Sequence, residues 1–177
     1  MPYGDLNQDQ ELLVQRFVQG QVVHDLGAGD LYLSCELLRL GASKVIAIDK
    51  NPIQFRDVPA EIEYRSTPFQ SVLDDPIEVV FLSWPPNFDT GLGPILRRSQ
   101  VILYLGKNTD GTACGTPEMF QYLLRRKASY LPDRHNTLIC YTDFLKAERG
   151  PFPEEEACLM SYTDLRYRLY NQVETVI

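Results

Sequence analysis

The hydrophobic and polar residues of this chain fall into short apolar runs that alternate with segments of helical spacing. Apolar, β-branched runs predict strands at residues 22–26, 44–49, 62–66, 77–82, 101–105 and 137–141. Apolar residues three and four apart predict helices at residues 7–18, 31–40, 53–58, 69–73 and 93–99, and one that begins at Thr116 and extends to Leu131. Strict alternation at residues 163–172 predicts an edge strand.

The order of these elements predicts an α/β fold. Strands that alternate with helices form a doubly wound, mostly parallel sheet, here of seven strands in one domain over residues 1–177. No helix precedes residues 163–172, so we expect them to form an antiparallel C-terminal strand. Ligands bind such sheets at the carboxyl ends of the strands. The stretches that fall at this edge are residues 27–30, Asp49 with Lys50, residues 83–87 and residues 107–115.

The first of these stretches is a glycine turn between the first strand and its helix. Gly27 and Gly29 permit a tight turn, because glycine tolerates a positive φ and lets a ligand approach the backbone. The helix that follows leaves free N–H groups at its start. Asp49 ends the second strand about twenty residues later, where an acid can bind ribose hydroxyls. The turn and Asp49 together predict a cavity for a nucleoside-containing ligand.

Composition narrows the class of partner. The formal net charge of −7 makes the surface acidic overall, so we expect nucleic acid to be a poor partner. The sequence has no long apolar run and no N-terminal signal, from which we expect no membrane contact and a cytoplasmic location. The 4 cysteines are widely spaced and form no CxxC pair, which indicates reduced thiols and no metal site. The oligomeric state stays open.

Two residues after the glycines distinguish between classes of nucleotide. Tyr32 stands at the third glycine of the G-x-G-x-x-G dinucleotide motif, where close helix packing favours glycine. Asp30 places a carboxylate in the first turn of the helix, where it would repel a pyrophosphate. A ligand with a cationic end and no phosphate avoids this repulsion. S-adenosylmethionine has that character.

The segment Asp25-Leu26-Gly27-Ala28-Gly29-Asp30 resembles the first motif of the class I (Rossmann-type) S-adenosylmethionine-dependent methyltransferases. Asp49 matches the ribose-binding acid of that family, and residues 163–172 are similar to its seventh strand. Leu31 replaces the usual third glycine. The resemblance implies that the glycines contact the methionine part and that the adenine lies near the end of the third strand. The implied cofactor-binding residues are Asp25, Gly27, Ala28, Gly29, Asp49, Lys50, Ser66 and Thr67.

The segment Ser83-Trp84-Pro85-Pro86-Asn87 follows the fourth strand and is similar to the D/N/S-P-P-aromatic motif of amino-group methyltransferases. In that motif a polar side chain and a carbonyl accept hydrogen bonds from the target nitrogen, and an aromatic ring stacks on the substrate. Here Trp84 directly precedes the prolines, and Asn87 stands where the ring is expected. The resemblance makes Ser83, Trp84 and Asn87 the candidate catalytic residues. The alternative is a stiff loop beneath the cofactor.

These observations favour methyl transfer from S-adenosylmethionine to a small molecule or a protein side chain. The alternative is a non-catalytic module that binds the cofactor and keeps the fold, because no strong general base stands at the edge of the sheet. A nicotinamide-dependent oxidoreductase is disfavoured by Asp30 and Tyr32. Two roles stay open for Asp25: it orients the glycine turn, or it binds the ammonium group of the cofactor. His24 lies inside the first strand, which favours a buried, hydrogen-bonded side chain over a catalyst.

Overall fold

The computed structural model describes residues 5–51, 57–85, 91–106, 114–115, 119, 123, 126–132, 137–144 and 173–174. Its α-helices are α1 (Gln8–Val18), α2 (Tyr32–Arg39) and α3 (Gly93–Arg98), and a short 3₁₀ helix covers Phe69–Val72. Its strands are β1 (Val22–Leu26), β2 (Lys44–Asp49), β3 (Ile62–Ser66), β4 (Val79–Ser83), β5 (Val101–Gly106), β6 (Arg126–Pro132), β7 (Thr137–Phe144) and β8 (Val173–Glu174). Met119 and Leu123 are also helical and buried.

All of these strands belong to one mixed sheet with the order β3-β2-β1-β4-β5-β7-β6-β8. β1 to β5 run parallel, whereas β7 runs antiparallel to both β5 and β6. The strand order reverses at β1 and β4, and the carboxyl ends of these two strands flank the expected binding edge. The doubly wound, mostly parallel fold is therefore confirmed. A total of seven strands is not confirmed, since the described residues already form an 8-stranded sheet.

The helix that the sequence predicts from Thr116 to Leu131 is wrong in its second half. Arg126–Pro132 is strand β6, which forms an antiparallel pair with β7. Pairing with β7 keeps this segment extended, and Pro132 also disfavours the α conformation at Leu131. The antiparallel strand beside β5 is therefore β7, which the sequence marks only as a sixth strand. The predicted strand at residues 163–172 lies outside the described residues.

The other predicted elements agree with the structure, with one exception at residues 53–58. Residues 53–56 lie outside the part of the chain that the structure describes, and Asp57 and Val58 are not helical. Asn7 begins α1 with a capping box, in which Gln10 N–H donates to Asn7 Oδ1 at 2.9 Å and Asn7 N–H donates to Gln10 Oε1 at 3.2 Å. No helix within the described ranges is long and apolar enough to cross a membrane.

Two hydrophobic clusters cover the two faces of the sheet. One joins α1 and α2 to residues such as Val23 and Phe81, and the other joins α3 and the 3₁₀ helix to residues such as Leu26 and Val80. β1, β2, β4 and β5 are buried along nearly their whole length. Such burial on both faces explains why these strands are continuous apolar runs in the sequence. At the carboxyl ends of β2 and β4, Asp49 and Ser83 remain partly exposed.

Tyr141 on β7 gives a first testable prediction, on stability alone. The side chain is fully buried, and its hydroxyl has no hydrogen-bond partner among the described residues. A buried hydroxyl without a partner costs about 1–3 kcal/mol. Tyr141→Phe should therefore raise the free energy of unfolding in urea by about 1 kcal/mol or more. A lower free energy in the variant would show that the hydroxyl is paired in the folded protein.

Candidate functional site

The glycine turn has left-handed backbone at every second residue. Gly27, Gly29 and Leu31 have φ values of 85°, 51° and 60°. The N–H groups of Gly27 and Ala28 both donate to the carbonyl of Ile48, at 2.8 and 3.1 Å, which fixes the turn against β2. Leu31 thus keeps the glycine-like conformation of the residue that it replaces. Its side chain is buried in the cluster with α1 and α2, which offsets the strain of a left-handed residue.

Asp49 is held at the end of β2 by two backbone groups. Gly29 N–H donates to Asp49 Oδ2 at 3.1 Å, and Asn51 N–H donates to Asp49 Oδ1 at 2.9 Å. A carboxylate has about four acceptor positions, so each oxygen can still accept another hydrogen bond. The glycine turn and Asp49 therefore form one unit, with a carboxylate in a fixed orientation.

A cavity of about 510 Å³ opens beside this unit at the carboxyl ends of the strands. Its walls come from the ends of β1, β2 and β4 and from the segment after β3. The residues that line it are Leu26, Gly27, Asp49, Lys50, Asn51, Thr67, Pro68, Phe69, Gln70, Ser83, Trp84, Pro85 and Gly91. We call it the first cavity. Its volume lies within the range of about 300–1,000 Å³ that is usual for small-molecule sites.

A second cavity of about 300 Å³ also borders the glycine turn. It is lined by Asp25, Gly27, Ala28, Asp30, Tyr32, Leu33, Ser83 and Trp84. Gly27, Ser83 and Trp84 line both cavities, so the two adjoin at these residues. The second cavity presents carboxylates, and no basic side chain is among its described lining residues. An elongated ligand could occupy both cavities with its middle at Gly27.

Asp25 is the most perturbed charged group of the site. Its side chain is fully buried, and Ser34 Oγ donates to Asp25 Oδ2 at 2.6 Å. Asp25 Oδ1 has no partner among the described residues. Burial, opposed by the hydrogen bond from Ser34 and assisted by the nearby charges of Asp49 and Asp30, raises the pKa of Asp25 to about 6. A cationic group in the second cavity would supply the missing partner.

The segment after β4 is fixed to β5 and to the chain beyond it. Trp84 has a left-handed backbone with φ 48°, and its N–H donates to the carbonyl of Leu105 at 2.8 Å. Gly115 N–H donates to the carbonyl of Pro85 at 2.8 Å. The Pro85 carbonyl thus already accepts one hydrogen bond. Strained backbone of this kind is common at functional sites.

The structure brings most of the predicted site residues to the two cavities. Asp49, Lys50 and Thr67 line the first, Asp25 and Ala28 line the second, and Gly27, Ser83 and Trp84 line both. Gly29 lines neither, although its N–H holds Asp49. Ser66 is exposed and lines neither, and Asn87 lies outside the described residues. Within the described chain, no group of three metal-ligating side chains is present.

Sequence reasoning missed one wall of the first cavity. Phe69 and Gln70 of the 3₁₀ helix line it, and a Cβ built on Gly27 would lie 3.9 Å from Phe69 Cζ. Gln70 lies against Gly91, because a Cβ on that glycine would be 2.1 Å from Gln70 Nε2. In the sequence, the signal for this wall is the aromatic residue Phe69, which lies just after the third strand.

His24 lies away from both cavities. Its side chain is 1% exposed, and its Nε2 is 3.5 Å from Asp75 Oδ2. Burial lowers the pKa of His24 below its ordinary value, against the opposing effect of Asp75. His24 is therefore a buried residue of β1 that lines neither cavity.

No protein-family model and no curated protein matches this sequence, but solved structures do. One is a protein assigned as a hemolysin from Lactococcus lactis, with 16% identity, TM-score 0.58, and coverage of 78% of this chain and 86% of that chain. Another, assigned as a tRNA (m1A22) methyltransferase from Streptococcus pneumoniae, has 14% identity, TM-score 0.54, and coverage of 94% and 78%. A precorrin-6y C5,15-methyltransferase from Geobacter metallireducens has 13% identity, TM-score 0.53, and coverage of 81% and 92%.

These likenesses establish the fold. The S. pneumoniae protein was also solved in complex with S-adenosyl-L-methionine, and that structure matches with a TM-score of 0.52. The predicted Rossmann-like fold of the class I S-adenosylmethionine-dependent methyltransferases is therefore confirmed. The expectation that nucleic acid is a poor partner is wrong, because the S. pneumoniae protein, which has the same fold, is assigned as a tRNA methyltransferase. The net charge is a property of the whole surface and does not determine the class of acceptor that binds at the site.

Proposed function

We propose that this chain, whose fold is that of the class I methyltransferases, binds S-adenosylmethionine across the two cavities and transfers its methyl group to an acceptor. One observation carries the proposal. Two adjoining cavities share Gly27, and one is lined by the fixed Asp49 carboxylate, while the other is lined by Asp25, whose Oδ1 has no partner among the described residues. A ligand with a ribose diol at one end and an ammonium group at the other matches this arrangement.

The first cavity suits the adenosine part. Asp49 keeps two acceptor positions, and a ribose diol supplies two donors. Phe69 offers an apolar ring for a planar base, and Thr67 and Gln70 add hydrogen-bonding groups beside it. Lys50 completes the wall next to Asp49. These contacts would fix the position of the nucleoside relative to Gly27.

The second cavity suits the amino-acid part. Asp25 Oδ1 is buried and unpaired among the described residues, and a carboxylate in this state binds an ammonium group strongly. Asp30 adds negative charge to the same cavity. Asp25, Asp30 and Asp49 together would repel a pyrophosphate, which disfavours a nicotinamide dinucleotide. This arrangement favours the ammonium-binding role for Asp25 over a purely orienting one.

The shared wall of the cavities is the place for the reacting group. Bound S-adenosylmethionine supplies an activated methyl group on its sulfonium. Gly27, Ser83 and Trp84 would hold that group at the junction and shield it from water. We assign the acceptor-positioning roles to Ser83, Trp84 and Asn87. The chain then contributes alignment, and a general base is needed only for some acceptors.

The acceptor class follows less directly from the site. A small molecule and a protein side chain are two candidate acceptors. RNA is an acceptor of equal standing, because one structural neighbour is assigned as a tRNA methyltransferase. A panel that contains tRNA, peptides and small amines separates these classes.

A non-catalytic cofactor-binding module is the second candidate function. The observation that favours it is the Pro85 carbonyl, which accepts a hydrogen bond from Gly115 N–H. This carbonyl is therefore less available to position an amine acceptor. Such a module would bind the cofactor as a catalytic chain does and would release no S-adenosylhomocysteine with any acceptor.

Thermal unfolding with and without ligand tests the proposal. S-adenosylhomocysteine at 100 times its Kd should stabilise the chain by about 2.7 kcal/mol and raise its Tm by several degrees. NAD⁺ at the same concentration is the control and should leave the Tm unchanged. A Tm that rises with NAD⁺ and stays constant with S-adenosylhomocysteine would overturn the proposal. Release of S-adenosylhomocysteine in the acceptor panel then separates the catalyst from the binding module.

A further inference from the structure

Tyr64 of β3 contacts the chain just after Asp49. Its hydroxyl donates a hydrogen bond of 2.6 Å to the carbonyl of Asn51. Tyr64 is paired with Ala47 in the parallel register of β2 and β3, two residues before the end of β2 at Asp49. The ring also packs against the hydrophobic cluster with α1 and α2. The hydroxyl is therefore anchored through a packed side chain.

The Asn51 backbone links this hydroxyl to the Asp49 carboxylate. Asn51 N–H donates to Asp49 Oδ1, and the Asn51 carbonyl accepts from Tyr64. Gly29 N–H holds the other oxygen of the carboxylate. One oxygen is thus oriented by the glycine turn, and the other by a residue that Tyr64 holds. Without Tyr64, the described contacts would leave Asn51 held only through Asp49 itself.

We propose that Tyr64 is a positioning residue for ligand binding, which orients the Asp49 carboxylate toward a ribose diol through Asn51. This inference rests on the proposed function. It adds a residue that touches neither cavity, since Tyr64 is absent from the lining of both. The effect of Tyr64 should therefore depend on the ribose hydroxyls of the ligand, because those are the groups that the Asp49 carboxylate binds.

The experiment compares two ligands on two variants by titration calorimetry. The ligands are S-adenosylhomocysteine and its 2′-deoxy analogue, which lacks one donor to Asp49. The variants are Tyr64→Phe, which removes only the hydroxyl, and Tyr141→Phe, which makes the same change at a buried site on β7. The net value of one hydrogen bond predicts that Tyr64→Phe weakens S-adenosylhomocysteine binding about fivefold.

The 2′-deoxy analogue should lose less than about twofold in the same Tyr64→Phe variant, because its remaining contacts do not depend on both carboxylate oxygens. Tyr141→Phe should leave both affinities unchanged. Equal weakening of both ligands by Tyr64→Phe would assign Tyr64 a purely structural role and overturn the inference. Unchanged binding of both would also overturn it and leave the proposed function standing. A wild-type chain that binds neither ligand would overturn both.

Discussion

Asp49→Ala should weaken the binding of S-adenosylhomocysteine by about 10- to 150-fold. The carboxylate accepts hydrogen bonds from two backbone N–H groups and keeps further acceptor positions toward the first cavity. Hydrogen bonds to a charged group contribute about 1.5–3 kcal/mol, which corresponds to this range of affinity. The expected change is large because both ribose hydroxyls lose their acceptor in one substitution. Titration calorimetry measures it directly.

Asp74→Ala is the matched control for this variant. Asp74 is an exposed carboxylate that lines neither cavity, so its removal changes the net charge equally without touching the site. The Asp74→Ala variant should bind S-adenosylhomocysteine with an affinity within about twofold of the wild-type value, since exposed charges outside a site contribute little. An Asp49→Ala variant that binds as tightly as the Asp74→Ala variant would remove Asp49 from the site.

Asp25→Asn should change the pH dependence of stability. Burial raises the pKa of Asp25 from 3.8 to about 6, so the folded protein holds this proton more tightly than the unfolded chain. Stability contributed by Asp25 therefore falls as the pH rises from 3.8 through about 6. The shift in pKa lowers the free energy of unfolding by about 3 kcal/mol in total, and about half of this decrease occurs between pH 5 and pH 8. Asp25→Asn removes this loss. Between pH 5 and pH 8, the free energy of unfolding of the variant should therefore rise relative to that of the wild type.

The same variant should lose affinity for ligands with an ammonium group. S-adenosylhomocysteine carries this group, whereas 5′-methylthioadenosine has the same nucleoside without it. At pH 8, where Asp25 is ionised, Asp25→Asn should weaken S-adenosylhomocysteine at least about tenfold and 5′-methylthioadenosine less than about twofold. Equal loss for both ligands would contradict the ammonium-binding role. Equal pH dependence of unfolding in variant and wild type would contradict the buried ionisation.

The parallel half of the sheet could be predicted because its physical signals are local. Buried strands such as β4 and β5 must be apolar on both faces, and the turn at Gly27 and Gly29 needs left-handed backbone. Asp49 could be placed because parallel strands end at the same edge. In each case one residue type satisfies one local requirement, and that requirement is visible in the sequence.

The antiparallel half could not be predicted in the same way. β6 begins three residues after the helical Leu123, and its pairing with β7 depends on tertiary contacts that overrule local spacing. Pro132 was a local signal against a helix at Leu131, but the apolar stripe from Met119 outweighed it. The 3₁₀ helix with Phe69 was predicted as an element, and its contact with Gly27 required the fold.

The oxygen of Asp25 that lacks a partner among the described residues and the contact of Tyr64 with Asn51 are also products of the fold. Ser34, which binds one oxygen of Asp25, lies nine residues along the chain and on the following helix. The spacing of residues in the sequence does not show whether the second oxygen of Asp25 has a hydrogen-bond partner. The expectation that nucleic acid is a poor partner was wrong because it rested on net charge, and a sum of −7 over the whole chain does not describe the surface beside the site.

The crystal structure of this chain grown with S-adenosylhomocysteine tests the central claim most directly. Our account predicts the ribose hydroxyls within hydrogen-bond distance of Asp49, the adenine beside Phe69 and the ammonium group at Asp25 Oδ1, with the sulfur atom between Ser83 and Gly27. A ligand bound elsewhere on the chain, or one whose ribose points away from Asp49, would contradict it.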